Sequence, residues 1–146
     1  MSDKNPHIGS TFTARVISIQ PRFAKAIYAG KKRWEFRKVP PKSFQSFFVY
    51  ESSPVSKITG SIKFSTKITG TATNVYYIAR ENGAYDDVDK LGLDLDELTE
   101  YADGNFVTAL RIMDYSKISN LELVGRPPQN FGTCELRIIQ EKGATA

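Results

Sequence analysis

Apolar positions along this chain recur mostly at a spacing of two and only briefly at the three-to-four spacing of a helix. Arg15 to Gln20 carries Val16, Ile17 and Ile19 and predicts a first strand. Pro21 then opens a helix running to Ala29, because a proline at the first helical position has no amide hydrogen left to orphan. Phe23, Ala24, Ile27 and Tyr28 give that helix one apolar stripe, while Arg22 and Lys25 stay in water. Gly30 is its expected terminator. Trp34 and Phe36, two apart, predict a strand over residues 32–37 with one edge facing a core.

Val39-Pro40-Pro41 forces an extended or turning connection, since proline lacks a donor and restricts its predecessor. Residues 47–50 form a continuous apolar run typical of a strand buried on both faces. Residues 57–65 alternate around Ile58, Ile62 and Phe64, and residues 66–73 either extend that strand or form a loop. Residues 74–81 allow one or two helical turns. Asp94, followed by Asp96 and Glu97, has the chemistry of a helix start, and Asp103-Gly104 that of its end. Residues 106–113, 121–124 and 136–139 predict three further strands.

Five to seven short strands and two or three short helices, in no strict β-α-β order, indicate an α+β fold built on a small curled sheet or barrel. Residues 1–12 read as a flexible leader, 13–140 as a single domain and 141–146 as a flexible tail. No glycine-rich phosphate loop precedes a helix, so dinucleotide and nucleotide-hydrolase folds find no support.

At 146 residues the chain can bury about two-thirds of its unfolded surface. No apolar run is long enough to span a bilayer, and the first dozen residues lack the apolar stretch of a signal peptide, which points to the cytoplasm. With one cysteine, Cys134, and one histidine, His7, neither a disulfide, a metal site nor a Cys-His nucleophile is expected, and no cofactor is implied. Charge is uneven. Residues 1–70 carry 13 Lys and Arg against three acids, and residues 71–146 carry seven against 13. Such asymmetry favours polyanion binding through one half, unless folding interleaves the two and the field cancels.

The basic charge peaks in Gly-Lys-Lys-Arg-Trp-Glu-Phe-Arg-Lys at residues 30–38. A block of like charge normally stays disordered, but here Trp34 and Phe36 pin it to a strand. Cations held rigidly beside an aromatic attract phosphate and offer a base a ring to stack on. The plainer alternative is an edge strand that carries lysines against edge-to-edge pairing.

Ile17-Ser18-Ile19-Gln20-Pro21, followed by Gly30-Lys31-Lys32 and Glu35-Phe36-Arg37, resembles the opening of ASCH domains in the PUA-like superfamily. Val49-Tyr50-Glu51-Ser52-Ser53-Pro54 and Ile58-Thr59-Gly60 are similar to that family's central strands, and Pro127-Pro128-Gln129-Asn130-Phe131 to its terminal turn. The likeness runs over about residues 15–138, in the family's order. It implies a PUA-like pseudobarrel and a role in RNA binding, modified-base recognition or transcription coactivation. One branch of small amidohydrolases deacylates N4-acetylcytidine with a lysine, a threonine and a glutamate. Lys32 matches the lysine, but Glu35 stands where the threonine would be.

The nucleic-acid reading takes Lys31, Lys32, Arg33 and Lys38 as phosphate contacts, together with Arg22, Lys25 and Arg37. Trp34 or Tyr50 would stack a base, although a lone tryptophan is as readily a core residue. Glu35 either pairs with Arg37 or accepts from a base amino group. Ser52, Ser53 and Gln129 would read base edges, or simply serve their turns. An enzyme would use Lys32 and Glu35 as its acid–base pair, if burial favours the free amine. A third class is an adaptor that meets a basic protein partner through the acidic residues 81–103, which equally suit a solvated helix face.

Overall fold

The computed structural model describes residues 7–39, 41, 45–84 and 94–141. In chain order the elements are β1 (Thr11–Ile19), α1 (Pro21–Tyr28), β2 (Trp34–Arg37), β3 (Ser46–Glu51), β4 (Lys57–Gly70), α2 (Ala72–Ala79), α3 (Leu95–Ala102), β5 (Val107–Lys117), β6 (Leu121–Val124) and β7 (Phe131–Ile138). The strands form a seven-stranded sheet in the order β2-β5-β4-β3-β1-β7-β6, and with the short helices this is the expected α+β class. No described helix is long and apolar enough to cross a membrane.

The chain divides into two compact units, each assembled from separated segments. The first holds residues 1–24, 46–62 and 116–146, and the second residues 25–45 and 63–115.

In the first unit β1 runs parallel to β3, with Val16 beside Phe48 and Ser18 beside Tyr50. It runs antiparallel to β7, with Ile17 beside Phe131, and β7 continues to β6. Being flanked on both edges, β1 buries Val16 and Ile17 in succession, so its burial does not follow simple alternation. Val16, Ile58, Leu121 and Leu136 form one core cluster, with Phe12, Phe48 and Tyr50 packed against it. Two expectations change here. Thr11 and Phe12, assigned to the leader, already belong to β1, and β7 starts at Phe131, five residues before the predicted strand.

In the second unit β2 pairs antiparallel with β5, placing Trp34 beside Arg111, Glu35 beside Leu110 and Arg37 beside Thr108. Its core gathers Trp34, Val75, Tyr76, Ala79, Leu98, Ala102, Val107 and Ala109. Helix α2 is capped by Thr71, whose side chain accepts from Asn74 N at 3.2 Å, and it continues into a π-helical turn, Arg80–Ala84. Helix α3 starts as its sequence predicts: the Asp94 carboxylate accepts from Glu97 N at 2.9 Å, satisfying a first-turn donor. It ends at Asp103, which adopts a left-handed conformation. Residues 66–70, left open between strand and loop, extend β4 to Gly70. The turn at Pro40 and the acidic residues 85–93 lie outside the described residues.

A buried ion cluster beneath a basic edge

The end of α1 sets the geometry of the basic segment. Gly30 takes a φ of +73°, which side-chain-bearing residues rarely adopt, and lets the chain reverse. Gly30 N then donates to Ile27 O and Lys31 N to Ala26 O, both at 2.9 Å, the paired bonds that close a Schellman turn. Lys32 N also donates to Ala26 O, at 3.1 Å, which fixes the backbone of the residue that turns inward.

From there the cations divide by burial. Lys31, Arg33 and Lys38 are exposed, whereas Lys32 (3% exposed), Glu35 and Arg37 are buried. Lys32 Nζ lies 3.4 Å from Glu35 Oε1 and donates to the Trp34 carbonyl. Arg37 takes the other carboxylate oxygen, with Nε donating to Oε2 at 2.8 Å and Nη2 at 2.5 Å from it. Burial alone would raise the Glu35 carboxyl, but the charges of Arg37 and Lys32, and their hydrogen bonds, outweigh it and hold the group below its ordinary value. Of the two roles open to Glu35, the pairing with Arg37 is the one present.

Three sequence-predicted contacts therefore change position. Trp34 is 1% exposed, sits in the core of the second unit and donates its indole Nε1–H to Asn82 O at 3.3 Å, so it presents no ring face to a base. Lys32 and Arg37 are not surface phosphate contacts, because both are buried against Glu35. The physical reason is strand alternation: it sets Trp34 and Phe36 against the core of the second unit and turns Glu35 and Arg37 to the other face of β2, where they pair with each other and with Lys32.

Lys25 is exposed on α1. Lys38 stays at the surface, its Nζ 5.2 Å from the Tyr101 ring centroid, while its backbone N–H donates to Tyr101 Oη at 3.2 Å. Two residues that the sequence reading passed over join this edge. Arg111 is exposed beside Trp34, and the Tyr115 hydroxyl lies 3.1 Å from where a Cβ on Gly30 would stand. The clue was the alternation Arg111, Met113, Tyr115 in a strand expected to stop at Met113.

The other candidates belong to the first unit. Arg22 is exposed, with its guanidinium 4.3 Å from the Phe23 ring centroid. Tyr50 is half-buried against the core and stands beside Ser18. The Ser18 hydroxyl donates to Pro128 O at 2.6 Å and its N–H to Asn130 O at 2.9 Å, which ties down the turn that carries exposed Gln129. Ser52 N donates to Ile19 O at 3.0 Å and Ser52 O accepts from Val55 N at 3.2 Å, so the Ser52-Ser53 pair sits in a tight turn, with Ser53 exposed. Among the described residues no three of His, Cys, Asp and Glu gather as a metal ion would require. Of the acidic region, Glu81, Asp94, Asp96, Glu97, Glu100 and Asp103 are exposed.

No protein-family model and no curated protein sequence matches the chain. Solved structures do. The crystal structure of ASCH from Zymomonas mobilis superposes with a TM-score of 0.64 at 24% identity, over 81% of this chain and 85% of that one. Two single-residue mutants of that protein give TM-scores of 0.63 and 0.62 at 25% and 24% identity, again over 81% of this chain, and over 85% and 87% of theirs. The architecture agrees with the resemblance carried by the Gly-Lys-Lys and Glu-Phe-Arg segments: the chain has an ASCH-like fold.

Proposed function

We propose that this domain binds nucleic acid, RNA or another single strand, along the exposed basic edge formed by Lys31, Arg33 and Lys38. One observation carries the reading. The only acid of the 31–38 segment, Glu35, is buried and neutralised by Lys32 and Arg37, so the charged side chains left at the surface are wholly cationic. Exposed Lys25 and Arg111 add to the same charge. A polyanion gains from each such contact by releasing counterions, and buried ion pairing keeps Glu35 from repelling it. The resemblance to ASCH domains supports the same class of ligand.

The test is fluorescence anisotropy of a labelled single-stranded RNA titrated with protein at low and at physiological salt. Saturable binding that weakens with salt is expected, and Lys31→Ala with Arg33→Ala should reduce it.

A second reading, hydrolysis of a modified nucleoside such as N4-acetylcytidine, is favoured by the Lys32–Glu35 pair at 3.4 Å. It requires Lys32 to reach the substrate, yet the lysine is buried and engaged by Glu35 and the Trp34 carbonyl. Turnover lost in Lys32→Ala, with the fold intact, would establish it.

A further inference from the structure

With Trp34 inside the core, the basic edge lacks the ring its sequence promised. Of the exposed aromatics of the second unit, Tyr77, Tyr101, Phe106 and Tyr115, the two with contacts to residues 30–38 are Tyr101 and Tyr115. Tyr101, 40% exposed, lies near Lys38 but on α3 among exposed Asp96, Glu97, Glu100 and Asp103. Those carboxylates weaken the pull of Lys38 on a phosphate chain beside that ring. Tyr115, 39% exposed, is placed differently. Its hydroxyl lies over Gly30, at the start of the Lys31–Arg33 segment. Strand alternation puts it on the same face of β5 as Met113 and Arg111, both exposed. The neighbouring Asp114 is exposed too, a single acid whose Oδ1 is engaged by Tyr115 N at 2.9 Å.

We propose that Tyr115 stacks an unpaired base beside the phosphates held by Lys31 and Arg33, with Met113 and Arg111 continuing the platform, so that the surface selects single-stranded RNA over a duplex. The proposal rests on the nucleic-acid reading above and assigns its specificity. Three features support it. The absence of a side chain at Gly30 leaves room for the tyrosine, and a Cβ there would press on its hydroxyl. The hydroxyl end lies over Gly30 while the ring, 39% exposed, stays open to solvent on the side a base would approach. The row Arg111, Met113, Tyr115 offers a planar cation, a polarisable thioether and a ring, all of which contact a base face without reading its sequence. A duplex hides those faces, so it can use only the cations.

The experiment compares one RNA sequence as a single strand and as a duplex, by anisotropy across a salt series. The proteins are wild type, Tyr115→Ala, Tyr115→Phe, Tyr101→Ala and Lys31→Ala. Tyr115→Ala is expected to weaken single-strand binding by about 5- to 150-fold with the salt slope kept. Tyr115→Phe should restore most of that loss, duplex binding should be unchanged, and Tyr101→Ala should bind as wild type. Lys31→Ala should flatten the salt slope for both RNAs. Equal affinity of wild type and Tyr115→Ala for the single strand, with salt-sensitive binding intact, overturns the stacking proposal and leaves the basic edge standing. A loss confined to Tyr101→Ala overturns it too. Absence of salt-sensitive binding in wild type overturns the nucleic-acid reading itself.

Discussion

Glu35 and Arg37, two positions apart on the same face of β2, lock one carboxylate oxygen between the Arg37 Nε, at 2.8 Å, and Nη2, at 2.5 Å, while Lys32 faces the other oxygen from 3.4 Å. A single buried carboxylate thus balances two buried cations. Its removal should be costly, because each buried cation loses an ion-pair partner without regaining its hydration. Glu35→Ala is expected to destabilise the protein by about 3–5 kcal/mol in urea unfolding at neutral pH. A change below about 1 kcal/mol would mean that the cluster is hydrated.

The same group gives a pH dependence of fixed sign. The folded-state carboxyl is held below its ordinary value of 4.5, so the stabilisation is fully present above that pH and is lost as pH falls through the folded value. Glu35→Gln removes the titrating group. The gap in unfolding free energy between wild type and Glu35→Gln should therefore be widest near neutrality and shrink in acid. A gap that widened in acid would reverse the sign and refute the assignment.

Trp34 is the chain's one tryptophan, which makes its burial directly readable. Acrylamide should quench its emission only weakly in the folded protein and strongly after unfolding. Saturating RNA should leave that emission nearly unchanged, because no base reaches the indole. Strong quenching by RNA would return Trp34 to the surface and undo the placement of β2.

Gly30→Ala tests the turn that delivers Lys31 and Lys32. A side chain at a φ of +73° is strained by about 1–2 kcal/mol, and here its Cβ would also stand 3.1 Å from the Tyr115 hydroxyl. Gly9, at a φ of +91°, has nothing within 4 Å of where a Cβ would stand and serves as the comparison for strain alone. In thermal unfolding Gly30→Ala should cost more than Gly9→Ala. Equal costs would mean that Tyr115 does not lie over Gly30.

The sequence made local features legible and left the non-local ones hidden. Pro21, the Phe23–Ile27 stripe and Gly30 defined α1, and Asp94 with its first-turn acids defined the start of α3, since each signal acts within a turn or two. The extent of β7 did not show, because Phe131 and Gly132 become strand only by pairing with Ile17 and Val16 far earlier in the chain. The basic segment was legible by halves. Spacing put one edge of the strand against a core but left Trp34 open between that core and a base. The burial of Glu35 and Arg37, beside Leu110 and Thr108 of β5, is set by residues far along the chain, which no local pattern encodes. Tyr115 was missed for a related reason: its significance comes from Gly30, a contact between residues distant in sequence.

The central claim is that exposed Lys31 and Arg33, and not buried Lys32 and Arg37, hold the phosphates. The most direct test measures the slope of log affinity against log salt for single-stranded RNA in wild type and in the Lys31→Ala, Arg33→Ala double variant. The slope should be shallower by about 0.7 for each lost contact, with weakened binding at low salt. An unchanged slope and affinity in the folded double variant would contradict it.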